Sequence, residues 1–237
     1  MSSKVVPGRV KAIFFDAGDT LFRPYPSVGE IYARTASAYG IECDPNVLES
    51  EFQSAWQKRG GLSSLGAETN EAKERNWWHT LVEEVFASHG GVPNFDQFFG
   101  ELHRSFEEKH LWEIYPEVCG VLAHLRTRKL ILAVVSNWDL RLPKLVRNLG
   151  LDPYFDFLLS SSMCGATKPS AKIFEEALNQ AGAKPSEAIH VGDTYEEDFV
   201  GAERLGIRAY LLDRAGIGNS VPDRVRVRSL SELLDLV

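Results

Sequence analysis

The stretch FFDAGDTLF, residues 14–22, decides how the rest of the chain is read. It completes the apolar run Lys11-Ala12-Ile13-Phe14-Phe15, whose bulky residues suit a buried β-strand. The run stops at Asp16, and Gly18, a second acid at Asp19 and Thr20 follow. Asp and Gly also favour turns. A lone strand ending in an acid therefore fits a plain turn as well as a site, and the other strand ends have to choose between them.

The hundred residues after this strand predict helices. Apolar residues recur at three- and four-residue steps over Ser27–Gly40, Pro45–Lys58, Asn70–His89 and Asn94–Lys109, with breaks at Gly40, Gly60-Gly61 and Gly90-Gly91. No convincing strand is predicted in this block. RGGLSSLG, residues 59–66, reads as a flexible loop, and the charged stretch Glu71–Arg75 as a solvated helix face. From Pro116 onward helix and strand alternate. LILAVVSN, FDFLLSS, AIHVGD and IRAYLL are strand candidates, with helices over Pro116–Arg128, Leu140–Leu149, Pro169–Ala181 and Glu196–Leu205 between them. That alternation predicts an α/β fold, a mostly parallel sheet with helices on both faces, carrying an all-helical insertion after its first strand.

Right-handed crossovers bring the C-terminal ends of such strands to one edge, where ligands bind near the point of strand-order reversal. Asp16, Ser136, Lys168 and Asp193 fall there. Their shared chemistry is phosphoryl transfer. Asp16 is placed to attack phosphorus and form an aspartyl-phosphate, and Asp193 to join it in holding Mg²⁺. Ser136 and the backbone N–H of Asn137 can donate to phosphate oxygens. Lys168 supplies a fixed positive charge. Asp198, five residues after Asp193, can orient a metal-bound water or Lys168.

FFDAGDTLF, VVSN, TKPSAKIF and VGDTYEEDF resemble, in that order, the four motifs of the haloacid dehalogenase (HAD) superfamily, and the helical block resembles its inserted cap. The resemblance implies a Rossmann-like core over residues 1–22 and 114–237, a mobile helical cap over 23–113 and, most often, an Mg²⁺-dependent phosphatase. It assigns Asp16 as nucleophile, Ser136 as the phosphate-binding hydroxyl, Lys168 as the motif-three lysine, and Asp193 and Asp198 as the acidic pair. It also locates a departure. The phosphatases of the family usually carry an acid/base Asp two residues after the nucleophile, where this chain has Gly18; the Gly18 carbonyl can still bind Mg²⁺, but the acid is lost.

A positioned general acid is worth about 10²–10⁴-fold, roughly 3–5 kcal/mol. Three readings stay open. One is a phosphohydrolase acting on a small phosphorylated metabolite, slowed unless Asp19 replaces the acid through an altered turn that Gly18 eases. Another is a catalytically impaired binding module for a phosphorylated ligand or protein partner. The last is a 2-haloacid dehalogenase, which also lacks the second Asp; without a metal, Asp193 would then place an uncompensated charge beside Asp16. Phosphonate-cleaving relatives use a cap lysine, for which Lys58 and Lys73 would be inspected.

Other residues invite weaker readings. Arg23 can meet a substrate anion or simply sit at the surface, and Arg141 is similar. Trp77-Trp78-His79 reads as a helix burying one tryptophan, and His190 as a core histidine rather than a base. The net charge of −7 without a long basic cluster argues against nucleic acid. No run approaches the ~18 apolar residues of a membrane span, and residues 1–7 hold no signal-peptide core. Cys43, Cys119 and Cys164 lack metal-site spacing and read as thiols of a reducing compartment, so a cytoplasmic location is expected.

Overall fold

The computed structural model describes residues 9–216 and 222–237, so the N-terminal stretch read for a signal peptide lies outside the described residues. Strand β1 (Ala12–Phe15) is wholly buried. Its pleat sends Ile13 and Phe15 into one apolar cluster and Ala12 and Phe14 into another. A strand with two buried faces reads as an unbroken apolar run, which is why KAIFF showed no polar alternation.

After β1 the chain makes a short strand, β2 (Phe22–Pro24), and then four helices. These are α1 (Val28–Ser37), α2 (Pro45–Arg59), α3 (Glu71–Ala87) and α4 (Phe95–Ser105). Asp44 caps α2 through the Asn46 N–H and Pro45 opens it; Asn70 caps α3 through Lys73. The four helices bury an aromatic-rich cluster of their own, including Tyr32, Trp77, Phe86 and Phe98. Strand β3 (Trp112–Ile114) then returns antiparallel to β2, pairing Phe22 with Ile114 and Pro24 with Trp112. This ladder corrects the expectation that the block holds no strand. It has three residues per strand and a proline, too little for any periodicity to show.

The remaining elements are α5 (Val118–Thr127), β4 (Ile131–Ser136), α6 (Leu142–Asn148), β5 (Phe157–Ser160), a single turn α7 (Ser161–Cys164), α8 (Ala171–Ala181), β6 (Ala188–Gly192), α9 (Gly201–Glu203), β7 (Arg208–Leu212) and β8 (Arg226–Val227). The six-stranded sheet runs β5-β4-β1-β6-β7-β8, and every described pairing in it is parallel. Helices α5 and α6 cover one face, α8 and α9 the other. The order reverses at β1, flanked by β4 and β6, so the C-terminal ends of these three strands meet. The expected helix over 196–205 is instead a π-helical turn, Tyr195–Val200, running into α9. Among the described residues no helix is long and apolar enough to cross a membrane. The three cysteines are free.

Two sequence readings of the helical block change. Residues 59–66 are not a loose loop. Leu62–Leu65 forms a 3-10 turn with Leu62 buried, and Ser63 and Ser64 close it on the Gly60 and Gly61 carbonyls at 2.8 and 2.7 Å. Glu74 is not solvated: it is fully buried, and it accepts from Ser161 (2.7 Å), Ser162 (2.6 Å) and Thr69 (3.2 Å). It lies three residues before Trp77 and seven before Leu81, on the inward face of α3.

Burial pushes the Glu74 carboxyl up to about 7, against the pull of its hydroxyl partners and with some help from Asp139. Between about pH 4.5 and 7 the folded chain then holds a proton that the unfolded chain has released, so stability falls as pH rises through that window. The loss is about 3 kcal/mol, or roughly 6–12 °C in Tm for a domain of this size. Thermal melts of Glu74→Gln from pH 5 to 8 are expected to lack this part of the slope. The difference from wild type isolates Glu74 from Asp193 and Glu197, whose raised carboxyls tilt stability the same way. Parallel pH profiles for the two proteins would exclude the effect.

Candidate active site

Asp16 follows β1, Ser136 ends β4, and Asp193 follows β6, so the strand-order reversal gathers residues far apart in sequence. Lys168 reaches them from the segment between α7 and α8. Its ammonium is buried between Asp16 Oδ1 and Asp198 Oδ1, donating to each at 2.5 Å. Burial alone would lower the Lys168 pKa, but the two carboxylates outweigh it and hold the ammonium firmly protonated. Asp16 is raised by burial, opposed chiefly by Lys168 and more weakly by the nearby Ser136.

Asp198 is committed within the protein. Oδ1 accepts from Lys168 and from His190 Nε2 at 2.8 Å, and Oδ2 accepts from the Thr194 N–H at 3.0 Å. Lys168 and His190 overcome its burial and pull its pKa well below the usual carboxylate range. Gly192 permits this arrangement: a Cβ there would stand 2.1 Å from Asp198 Cγ. His190 is a buried core histidine, as its place inside the strand suggests, and burial lowers its pKa.

Asp193 faces the open cleft. Desolvation within the site, then repulsion from Asp16 and Asp198, raises its pKa well above the ordinary value. Carboxylate oxygens of Asp16, Asp193 and Asp198 lie within 4.8 Å of one another. Three acids against one ammonium form a donor set of hard oxygens with excess negative charge, which suits a divalent cation such as Mg²⁺.

Asn137 is used in a way that the sequence did not suggest. Its Oδ1 accepts from the Lys168 N–H at 2.6 Å, while Nδ2 donates to the Lys168 carbonyl (3.0 Å) and to Glu197 (2.8 Å). The side chain fixes the backbone that carries the lysine. Asp19 takes a left-handed φ of 52°. Burial, then repulsion from Asp16, raises its carboxyl against the pull of Tyr115, and Arg214 donates to the Asp19 and Thr20 carbonyls at 3.2 and 2.7 Å. Neither Tyr115 nor Arg214 stands in a motif, and Arg214 is 195 positions from Asp19, so no sequence spacing could have found the contact.

A cavity of about 450 Å³ opens from Asp16, Gly18 and Asp193 into the four-helix layer. Trp78 lines it, beside buried Trp77. Arg23 and Arg141 line it as well, but both are engaged. Arg23 pairs with Glu113 across the β2–β3 ladder at 2.6 Å, and Arg141 with Asp139 at 2.7 Å. Lys58 binds Glu84 and Lys73 binds the Glu68 carbonyl, and neither lines the cavity.

The family model for haloacid dehalogenase-like hydrolases matches residues 10–206, the span holding Asp16, Ser136, Lys168, Asp193 and Asp198. The chain belongs to this family. It is 33% identical over 234 residues to the human haloacid dehalogenase-like hydrolase domain-containing protein 3, covering 95% of this chain and 93% of that one. A phosphoserine phosphatase of Thermus thermophilus is 34% identical over 169 residues, 70% of this chain and 65% of its own. Among solved structures, the HAD-hydrolase YfnB of Bacillus subtilis, described as bound to magnesium, superposes with a TM-score of 0.78 at 18% identity, covering 97% of this chain and 99% of that one. The family assignment makes the chain a hydrolase, and the six-stranded parallel sheet is the core of such HAD structures.

Proposed function

We propose that this HAD hydrolase is a phosphohydrolase for a small phosphorylated metabolite, working through an aspartyl-phosphate on Asp16. The observation that carries the reading is the buried Lys168 ammonium held between Asp16 and Asp198 beside the open carboxylate of Asp193. Asp16 and Asp193, with the Gly18 carbonyl, would hold Mg²⁺, while Asp198 acts one step back by fixing Lys168. The bound cation would supply charge neutralisation on the phosphoryl oxygens. The helical layer of residues 23–113 would be the cap over the core of 1–22 and 114–237.

In the reaction, Asp16 attacks phosphorus while Lys168 and the Ser136 hydroxyl stabilise charge on the transferring group. Asn137 keeps Lys168 in line throughout. Crowding of Asp193 against Asp16 speaks against the dehalogenase reading, because carbon–halogen displacement brings no cation to offset that repulsion.

Inorganic phosphate release from small phosphate esters is the direct test. Release is expected with Mg²⁺, to fall at least about 10-fold after chelation, and to return on adding the metal back. Chloride release from a 2-chloroacid without metal would instead favour the dehalogenase. Tight Mg²⁺-dependent ligand binding with no release would favour the binding module.

A further inference from the structure

The cavity above Asp16 is walled largely by aromatic rings, most of them half-buried. Trp138 and Trp112 stand with centroids 5.4 Å apart on the lower wall; Trp56 and Trp78, 5.5 Å apart, stand in the helical layer, with Phe52 and Phe99 also lining the space. Trp138 has a decisive position. A Cβ on Gly18 would lie 3.4 Å from its ring, so indole stands beside the residue two places beyond Asp16. A leaving group departing from phosphorus on that side meets the indole ring, with no side chain at residue 18 to donate a proton.

The charges that line the cavity point the same way. Both arginines are paired, and burial lowers the pKa of His103 against the pull of Asp139. Glu49, in the upper chamber, accepts from the Gly29 N–H at 2.7 Å and from Gln53 at 3.1 Å. Among the described residues lining the chamber, Arg23 and Arg141 already have carboxylate partners. A carboxylate on the leaving group, as in phosphoserine or phosphoglycolate, would enter a chamber that holds Glu49 and whose arginines already have carboxylate partners.

Resting on the phosphohydrolase reading, we infer that the substrate is an aryl phosphate monoester whose uncharged aromatic ring fills the chamber walled by Trp78, Trp112 and Trp138, with the phenolic oxygen as leaving group. The bond from Asp16 Oδ to phosphorus forms as the P–O(aryl) bond breaks. The electron pair goes to the phenolic oxygen, which takes its proton from water. A second water then hydrolyses the aspartyl-phosphate, returning Asp16 and releasing phosphate. A phenol leaves without a positioned acid far more readily than an aliphatic alcohol does, so the missing acid and the aromatic walls select for one substrate class.

The test combines turnover with inhibition in Mg²⁺. Phenyl and 1-naphthyl phosphate are expected to exceed glycerol 2-phosphate, O-phosphoserine and phosphoglycolate in kcat/KM by about 10²-fold or more. Because phenols are intrinsically better leaving groups, recognition is read separately from unreactive phosphonates. Phenylphosphonate should inhibit at least about 10-fold more tightly than ethylphosphonate, and Trp78→Ala should erase most of that difference. Equal inhibition by the two phosphonates, or alkyl esters turned over as well as aryl ones, overturns the inference and leaves the phosphohydrolase standing. No Mg²⁺-dependent release from any ester overturns both.

Discussion

Asp16→Asn is expected to lose phosphate release by about 10⁴-fold or more while the protein stays folded. The amide cannot attack phosphorus, and Asp198, tied to Lys168, His190 and the Thr194 N–H, is not free to replace it. Stability should hardly suffer. Removing one member of a buried ion pair is costly when the other charge is left alone, but here the ammonium of Lys168 keeps Asp198. The substitution also relieves repulsion on Asp193, since Asp16 is the largest charge raising it. Thermal melts beside single-turnover phosphate release separate the two effects. A variant that retains turnover would remove Asp16 from the chemistry, and one that fails to fold would make its role structural.

Gly18→Asp should have the opposite sign. The backbone at Gly18 does not use a positive φ, and a Cβ there would meet Trp138 at 3.4 Å, an ordinary van der Waals contact. Neither the backbone nor the Cβ position therefore bars the acid that the HAD resemblance places at this position. An acid there is expected to raise turnover of alkyl phosphates by about 10²–10⁴-fold and that of aryl phosphates much less, because a phenolic leaving group needs little protonation. Across a series of esters the dependence of rate on leaving-group acidity should flatten. If alkyl and aryl esters gain equally, residue 18 limits some step other than P–O cleavage. If Asp19 already supplies the proton, Gly18→Asp gains little and Asp19→Asn loses what it would have gained.

Much of this was legible in the chain because strand ends are marked by composition. A bulky apolar run broken by an acid, as at Phe15-Asp16, or by Ser136-Asn137, signals burial giving way to an edge, and the alternation after Pro116 implies the parallel order that brings such edges together. What escaped depended on partners distant in sequence. Phe22–Pro24 becomes a strand only against Trp112–Ile114. Arg214 has no local feature that announces its grip on the Asp19 turn. Glu74 was hidden by its neighbours: Glu71, Ala72, Lys73 and Arg75 are exposed, and only its phase with Trp77 and Leu81 marks it as inward. The glycines of 59–66 suggested looseness, whereas Gly60, Gly61 and Gly66 supply the positive φ angles that a compact turn requires.

That turn rests on the segment that carries the lysine. Thr167 donates its N–H to the Gly66 carbonyl at 3.0 Å, Thr69 donates to the Gly165 carbonyl at 3.3 Å, and Glu74 accepts from Ser161 and Ser162 a few residues upstream. Lys168 is thus mounted on a stretch of chain that the sheet and the helical layer hold jointly. Any separation of the two layers breaks these bonds and loosens the footing of the ammonium. Enclosure of a ligand and alignment of the lysine become a single equilibrium, and a molecule that bridges both walls of the cleft draws on the same free energy to seat itself and to set the charge beside Asp16.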